Sequence, residues 1–77
     1  MTLEILTPDK TLFNGEVSSV KLPGSLGGFE VLNNHAPIVS SLKAGTLRVI
    51  KADGATENFE ITGGVIEMLD NKIIVLA

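Results

Sequence analysis

The chain has 77 residues, which is enough for one small domain, residues 1–77, with a single hydrophobic core. Its formal net charge is −3, and its six basic residues are scattered singly, so no basic cluster is available to neutralise the phosphates of a nucleic acid. It contains no cysteine, which excludes disulfides and thiolate metal sites.

The composition is unusually apolar for so short a chain. Hydrophobic residues make up 44% of the sequence, and a small domain with surplus apolar surface often uses it to bind a partner. No segment has the pattern of a secretion signal, and no apolar run is long enough to cross a bilayer. We therefore expect a soluble or peripheral protein with a partner-binding face.

The first half of the chain alternates between short extended segments and turn signals. Asn14-Gly15 is the strongest short hairpin signal in the sequence and predicts a turn. Val17 falls out of the alternation of its segment, which predicts a bulge or a strand covered on both faces. Strands are predicted at Leu3–Ile5, Thr11–Phe13, Glu16–Leu22 and Phe29–Leu32.

The second half continues the β pattern. Phe59 and Ile61 are expected to point inward while Asn58 and Glu60 face water. Turns or bends are predicted at Lys43-Ala44-Gly45, Asp53-Gly54, Gly63-Gly64 and Asp70-Asn71. Strands are predicted at Ile38–Leu42, Thr46–Lys51, Thr56–Thr62, Val65–Leu69 and Lys72–Leu76.

This succession of short strands indicates an all-β domain. No segment repeats apolar residues at helical spacing, and no helix cap precedes one. Short strands with turn signals at fairly regular intervals are typical of an antiparallel sandwich or a flattened barrel.

The last two predicted strands lack a clearly polar face. Val65 and Leu69 flank Glu67 on one side of their strand, and 73–76 is apolar on both sides. Either these strands are central and buried on both faces, or their outer face binds a partner.

The most distinctive stretch lies between Gly24 and Leu42. Gly24, Gly27 and Gly28 fall within five residues, which allows a sharply turned loop before a short strand. The strand is followed by a second loop, Asn33–Pro37, and both loops are poor in charge. Shaped loops without charge suit contact with another surface.

Catalytic chemistry finds little support in the sequence. His35 is the only histidine, so a two-histidine metal site is impossible, and no serine is placed to form a nucleophile–base pair with it. Glu57 and Glu60 would point to opposite faces of a strand. The glycine-rich loop has no lysine and leads into a strand, so it does not fit a phosphate-binding loop. His35 is better explained as a loop residue that bonds locally or contacts a partner.

A non-catalytic alternative is a lipoyl or biotinyl carrier domain. Such domains are β-sandwiches of similar length with a modified lysine at a hairpin tip. Lys72 follows Asp70-Asn71 and Lys51 precedes Asp53-Gly54, so both are candidates. Neither has the flanking methionine or the Asp-Lys-Ala setting of a modified lysine, which favours ordinary turn residues.

Several motifs, in order over nearly the whole chain, carry a resemblance to a known family. The sequence resembles the N-terminal domain of the ATP synthase epsilon subunit, which is named delta in mitochondria. The matching segments are Phe13-Asn14-Gly15, Gly28–Leu32, Asn34–Pro37, Gly45–Val49, Ile61–Glu67 and Ile74–Ala77.

The resemblance implies a flattened antiparallel β-sandwich of about ten short strands. It also implies a non-catalytic rotor subunit that joins the gamma subunit to the membrane ring of c subunits. Residues Ser25, Leu26, Gly27 and Gly28 match the family's contact with the c ring, and His35, Ala36 and Pro37 match its contact with gamma. The family's ring-facing loop often carries acidic residues, so the apolar loop here would dock by packing or backbone hydrogen bonds.

The resemblance extends to cofactors and location. No cofactor, metal, nucleic acid or nucleotide is expected to bind, because the two-helix domain that binds ATP in some family members has no counterpart within these residues. We expect a peripheral location on the cytoplasmic face of the bacterial inner membrane, through the ATP synthase complex alone.

Overall fold

A computed structural model describes all residues from 1 to 77. Every regular element is a β-strand, as the sequence predicts, and no helix is long and apolar enough to cross a membrane. The strands are β1 (Thr2–Leu6), β2 (Thr11–Leu22), β3 (Phe29–Leu32), β4 (Ile38–Lys51), β5 (Thr56–Leu69) and β6 (Lys72–Leu76).

The strands form one sheet that folds back on itself. Their order is β1-β6-β5-β4-β2-β3, and β1 also pairs with β2, so the sheet closes and β3 lies at an edge. All the pairs are antiparallel except β1 with β6. Because β1 pairs with both β2 and β6, the first and the last strand of the chain are both part of the closed structure.

The number of strands is six, and the expectation of about ten was wrong. The predicted pieces 38–42 and 46–51 are one strand, β4, and the pieces 56–62 and 65–69 are also one strand, β5. Their pairing keeps a constant register from Ile38 opposite Met68 to Ile50 opposite Thr56. Neither Lys43-Ala44-Gly45 nor Gly63-Gly64 interrupts this ladder.

These long strands bend instead of ending. A straight strand of 14 residues would be about 46 Å long, whereas the longest dimension of the molecule is 27 Å. Both β4 and β5 therefore cross from one layer of the sandwich to the other. Counting each bent half as a strand explains why the sequence suggested more elements.

The predicted hairpin at Asn14-Gly15 was also wrong. Both residues lie inside β2, where Asn14 is opposite Glu4 and Gly15 is opposite Leu3. The chain reverses earlier, through a turn in which the backbone N–H of Thr7 donates to the carbonyl of Lys10 at 2.9 Å. Pairing with β1 thus overrides the local turn preference. The bulge predicted near Val17 is confirmed by a register shift between Val17 and Ser19.

The other turn signals are confirmed. Gly54 has φ of 89° in the β4–β5 hairpin, and Asp70 and Asn71 have φ of 51° and 61° in the β5–β6 hairpin. Two consecutive positive φ values match the twist of a tight β-hairpin. The short β5–β6 connection fixes which residues of the two strands lie side by side.

The core fills the space between the two layers. Ile61 faces inward as predicted, together with Leu47 and Val49, and Phe59 is partly buried against the core with its ring 5.8 Å from that of Phe13. Alternate residues of β5 and β6, Ile66, Met68, Ile73 and Val75, are also buried. The complete buried apolar cluster is Met1, Leu3, Ile5, Val17, Val20, Leu22, Val31, Leu42, Leu47, Val49, Ile61, Ile66, Met68, Ile73 and Val75.

Candidate partner-binding surface

The outward side of β4, β5 and β6 carries a group of apolar side chains. Val39 lies opposite Glu67 on β5, and Glu67 lies opposite Ile74 on β6. In the next row Val65 lies opposite Leu76. Residues paired in this way point to the same side of a sheet. We call Val39, Val65, Leu69, Ile74 and Leu76, with Glu67 among them, the apolar face.

Most of this face is open to solvent. Val39 is 74% exposed, and Leu69, Leu76 and Val65 are between 42% and 55% exposed, while Ile74 is partly buried. Their sequence neighbours occupy the core, so no rotation of the strand could hide both sets. The interpretation that these strands are buried on both faces was wrong, and their outer face is free.

The loop Asn33–Pro37 borders one end of the apolar face. Asn34 has φ of 62°, and its backbone N–H donates to the side-chain oxygen of Asn71 at 2.8 Å. The N–H of His35 donates to the carbonyl of Leu32 at 3.1 Å. The first bond ties the loop to the β5–β6 turn. His35, Ala36 and Pro37 are all exposed, and Pro37 lines a shallow depression with Val39 and Leu69.

The glycine-rich loop lies at the other end of the outward half of β4. The N–H of Ser25 donates to the carbonyl of Ser41 at 3.0 Å, and the hydroxyls of these two serines are 2.8 Å apart. The N–H of Gly27 closes a turn onto the carbonyl of Gly24 at 2.9 Å. Beyond this anchor, Leu26 is fully exposed at the tip.

Gly24 allows this loop to lie against the domain. A Cβ atom at Gly24 would be 2.5 Å from the carbonyl oxygen of Gly27 and 2.7 Å from the ring of Phe29. Any side chain would therefore push the turn away from β3. Ser25, Leu26, Gly27 and Gly28 are together and exposed.

The two loops are separated by the first residues of β4. Pro37 precedes the strand, and Ser41, which holds the glycine-rich loop, is four positions further on, about 13 Å along an extended chain. Val39 lies between them on the same side of the sheet. The predicted contact residues thus form two exposed patches at opposite ends of one apolar surface.

The charged residues are not assembled into a reactive group. No cluster of three or more histidine and carboxylate side chains could hold a metal ion. The Nδ1 atom of His35 is 2.8 Å from the carbonyl oxygen of Ala36, its own neighbour. Glu57 pairs with Lys51 at 3.5 Å, while Glu60 accepts a hydrogen bond from the hydroxyl of Thr46. Each group has a local structural explanation.

Glu30, the one acidic residue of the central stretch, points away from the apolar face. Its carboxylate accepts a 2.6 Å hydrogen bond from the buried hydroxyl of Ser19 and lies 3.3 Å from the guanidinium of Arg48. It therefore stabilises the pairing of β2, β3 and β4.

The two lysines of the carrier alternative lie near hairpin turns, as predicted. Lys51 ends β4, and its ammonium is paired with Glu57. Lys72 begins β6 and is exposed beside Leu69. Neither environment differs from that of an ordinary turn lysine.

The full apolar face could not be read from sequence order. The alternation of Val65, Glu67 and Leu69 and the apolar stretch 73–76 were visible signals, but Val39 joins them only through the pairing of β4 with β5. The central position of Glu67 likewise follows from the register of three strands.

Comparisons with known proteins agree on one family. The model of the ATP synthase Delta/Epsilon chain β-sandwich domain matches residues 1–77. The chain is 45% identical over 75 residues to the ATP synthase epsilon chain of Chlorobaculum tepidum, covering 97% of this chain and 85% of that protein. It is also 45% identical over 75 residues to that of Pelotomaculum thermopropionicum, of which it covers 55%.

A solved structure gives the same fold. The domain superimposes with a TM-score of 0.90 on a chain in the cryo-EM structure of the Euglena gracilis mitochondrial ATP synthase, described as OSCP/F1/c-ring in rotational state 1. The match covers 97% of this chain and 48% of that chain at 23% identity, so it supports the fold only. The sequence matches go further, and they show that the chain belongs to the ATP synthase delta/epsilon family, as its β-sandwich domain.

Proposed function

We propose that this domain is a non-catalytic rotor subunit of the F-type ATP synthase. It joins the gamma subunit of the central stalk to the c ring, so that ion-driven rotation of the ring reaches the catalytic head. Family membership supports this role, because the sequence relatives are epsilon chains of ATP synthase. A second structural neighbour, with a TM-score of 0.79 at 20% identity, is a chain in the cryo-EM structure of the central stalk and c ring of the Tetrahymena thermophila mitochondrial ATP synthase.

The observation that carries the proposal is the exposed apolar face. Val39, Leu69 and Leu76 are solvent-exposed on one surface, and adjoining exposed apolar side chains of this kind mark a partner-binding site in many proteins. In the closed sheet beneath them, β4, β5 and β6 are each paired on both sides, so the surface keeps its shape when torque is applied to it. A torque-transmitting joint needs such a rigid body with a large, slowly dissociating interface.

The gamma contact is assigned to the loop His35, Ala36 and Pro37 together with the apolar face. The loop is tied to the β5–β6 turn through Asn34 and Asn71. Pro37 and Val39 line one shallow depression with Leu69, so loop and face form a continuous surface. One partner can therefore cover both.

The c-ring contact is assigned to Ser25, Leu26, Gly27 and Gly28. Leu26 extends fully into solvent while Ser25 is anchored on Ser41. A single apolar tip on an anchored loop suits insertion into a shallow apolar recess. Because this loop has no acidic residue, we expect its contact with the c ring to involve no ion pair.

Binding to purified gamma tests the proposal. Val39→Asp adds a negative charge to the apolar face, and Asn58→Asp adds the same charge at an exposed position of β5 in the other layer, opposite Arg48. We expect Val39→Asp to weaken gamma binding at least tenfold and Asn58→Asp to change it less than threefold. Calorimetric titration of both variants, with thermal melts to verify folding, makes the comparison. If folded Val39→Asp and the unmodified domain bind gamma equally well, gamma does not bind to this face.

Two finer expectations remain predictions. We place the domain at the cytoplasmic face of the bacterial inner membrane, held there by the ATP synthase complex. We also expect residues 1–77 to bind no nucleotide, which a calorimetric titration with ATP checks. The carrier alternative, with modification of Lys51 or Lys72, is not favoured because the family match accounts for the whole chain. An intact mass that includes a lipoyl or biotinyl group would reopen it.

A further inference from the structure

Glu67 occupies the middle of the apolar face. Val39 and Ile74 lie on either side of it in the same row, on the neighbouring strands. Val65 and Leu69 precede and follow it by two residues on β5, on the same side of the sheet. An exposed carboxylate is thus surrounded by apolar side chains in all four directions.

No cation within the domain neutralises this carboxylate. The ion pairs of the domain are Met1 with Glu16, Arg48 with Glu30 and Lys51 with Glu57, and none involves Glu67. Lys72 is on the same surface, but it lies one row away, opposite Leu69, and its ammonium is not within 4 Å of a carboxylate.

The nearest other charges make the surface more acidic. Glu4 of β1 is in register with Ile74, so Glu4 and Glu67 stand in one row with Ile74 between them, about 10 Å apart. Asp70 follows in the turn at the end of β5. Glu4, Glu67, Asp70 and Lys72 together carry a net charge of −2, three negative charges and one positive.

Covering the apolar face buries Glu67, because its apolar neighbours cannot be desolvated without it. A buried carboxylate that lacks a partner strongly opposes association, whereas one paired with a positively charged donor is tolerated or favourable. An occupant that brings a positive charge to Glu67 avoids this cost, because Lys72, which lines the same depression as Glu67, makes no ion pair with it in the domain.

We propose that Glu67 selects the partner of this face by pairing with a lysine or arginine at the centre of the partner's docking surface. This inference rests on the proposed function, which assigns the face to the stalk partner gamma. It adds that the partner surface is apolar with one central cation, and that Glu67 is the specificity-determining residue of the interface.

Three substitutions at Glu67 test the pairing. Glu67→Gln keeps the size and one acceptor oxygen but removes the charge, Glu67→Leu matches the apolar surroundings, and Glu67→Lys reverses the charge. Glu60→Gln is the matched control, because Glu60 is exposed on the same strand in the other layer. Affinity for gamma is measured by calorimetry, after thermal melts show that each variant is folded.

We expect Glu67→Gln to weaken binding by roughly 30-fold or more, as is common when one member of a buried charge pair is neutralised. Glu67→Leu weakens it at least as much, because the partner's cation is then buried against hydrocarbon. Glu67→Lys weakens it further, and Glu60→Gln leaves the affinity within threefold.

The opposite results separate the two proposals. Unchanged binding by Glu67→Gln means that a neutral donor or solvent satisfies the carboxylate, and tighter binding by Glu67→Leu means that the partner offers only apolar groups. Either result overturns the cation pairing. The proposal that gamma binds the apolar face survives it, provided that Val39→Asp still weakens gamma binding at least tenfold. If Val39→Asp and every Glu67 variant bind gamma normally, the face does not bind gamma and both proposals are wrong.

Discussion

Gly64 lies on β5 beside the end of β6, and replacing it should separate the two strands that carry the apolar face. Its φ is 149°, in the region that favours glycine. A Cβ atom at this position would be 2.2 Å from the carbonyl oxygen of Leu76 and 3.1 Å from the Cα of Ala77. Both contacts are with backbone, so the overlap cannot be relieved by a side-chain rotation.

Two other glycines separate the contributions of backbone strain and overlap. Gly27 has φ of 139° but no atom within 4 Å of its Cβ position, so Gly27→Ala measures strain alone. Gly28 has ordinary φ and a Cβ position 3.6 Å from the carbonyl of Leu22, so Gly28→Ala is the control. Strain at such φ values costs about 1–3 kcal/mol, and forced overlap in a packed structure adds about 1–3 kcal/mol.

The expected loss for Gly64→Ala is about 2–6 kcal/mol from the two terms together. At 0.05–0.15 kcal/mol per residue, a domain of this size has a stability of about 4–12 kcal/mol, so the loss is a large share of the total. A loss of about 3 kcal/mol lowers the Tm by about 12–24 °C in a small domain.

Urea and thermal denaturation followed by circular dichroism measure the three variants. We expect stability to decrease in the order Gly28→Ala, Gly27→Ala, Gly64→Ala. If Gly64→Ala unfolds within about 0.5 kcal/mol of Gly28→Ala, a margin that ordinary surface changes reach, the close approach of β5 and β6 is wrong.

The remaining predictions concern the core, a buried polar contact and the glycine-rich loop. Leu47→Ala removes a fully buried side chain and should cost about 2–5 kcal/mol in urea denaturation; a smaller loss would contradict its burial. Ser19→Ala removes the buried hydroxyl donor to Glu30 and should cost about 1–2 kcal/mol, whereas Arg48→Gln breaks only an exposed ion pair and should cost below about 1 kcal/mol; the reverse ranking by the same assay would refute this. Leu26→Asp should leave the Tm unchanged, since Leu26 is fully exposed, and should weaken coupled ATP synthesis in reconstituted membranes; unchanged synthesis would refute the ring contact.

Local sequence patterns were sufficient for the class of fold and for the inward residues. Strict alternation placed Ile61 in the core and Glu60 in solvent because a strand's side chains alternate whatever its partner is. The Asp70-Asn71 turn was predictable for a similar reason, since its positive φ values depend on the two residues themselves.

Strand continuity was not predictable from local signals. Asn14-Gly15 prefers a turn, yet both residues are extended because β1 pairs with them. Gly63-Gly64 predicts a bend between two strands, but β5 is one strand that passes through this position with β4 still in register. In both places hydrogen bonds to another strand, absent from any local pattern, determine the conformation.

The candidate surface was likewise predictable only where local residues determine the backbone. The two exposed loops could be predicted because glycine, asparagine and proline dictate local backbone shape. The apolar face could be predicted only in part, since Val39 and Glu67 come together through strand register. The isolation of Glu67 from cations depends on which charges share its side of the sheet.

Cysteine footprinting of the assembled complex tests most directly whether the apolar face is a docking surface. The chain has no cysteine, so Val39→Cys and Asn58→Cys each introduce a single exposed thiol, one on the apolar face and one on the other layer. The rate of alkylation is compared between the free domain and the complex with gamma and the c ring. We predict that the thiol at position 39 is protected at least tenfold in the complex while the thiol at position 58 reacts at an unchanged rate. Equal reactivity at position 39 in the free and assembled states would contradict the central claim.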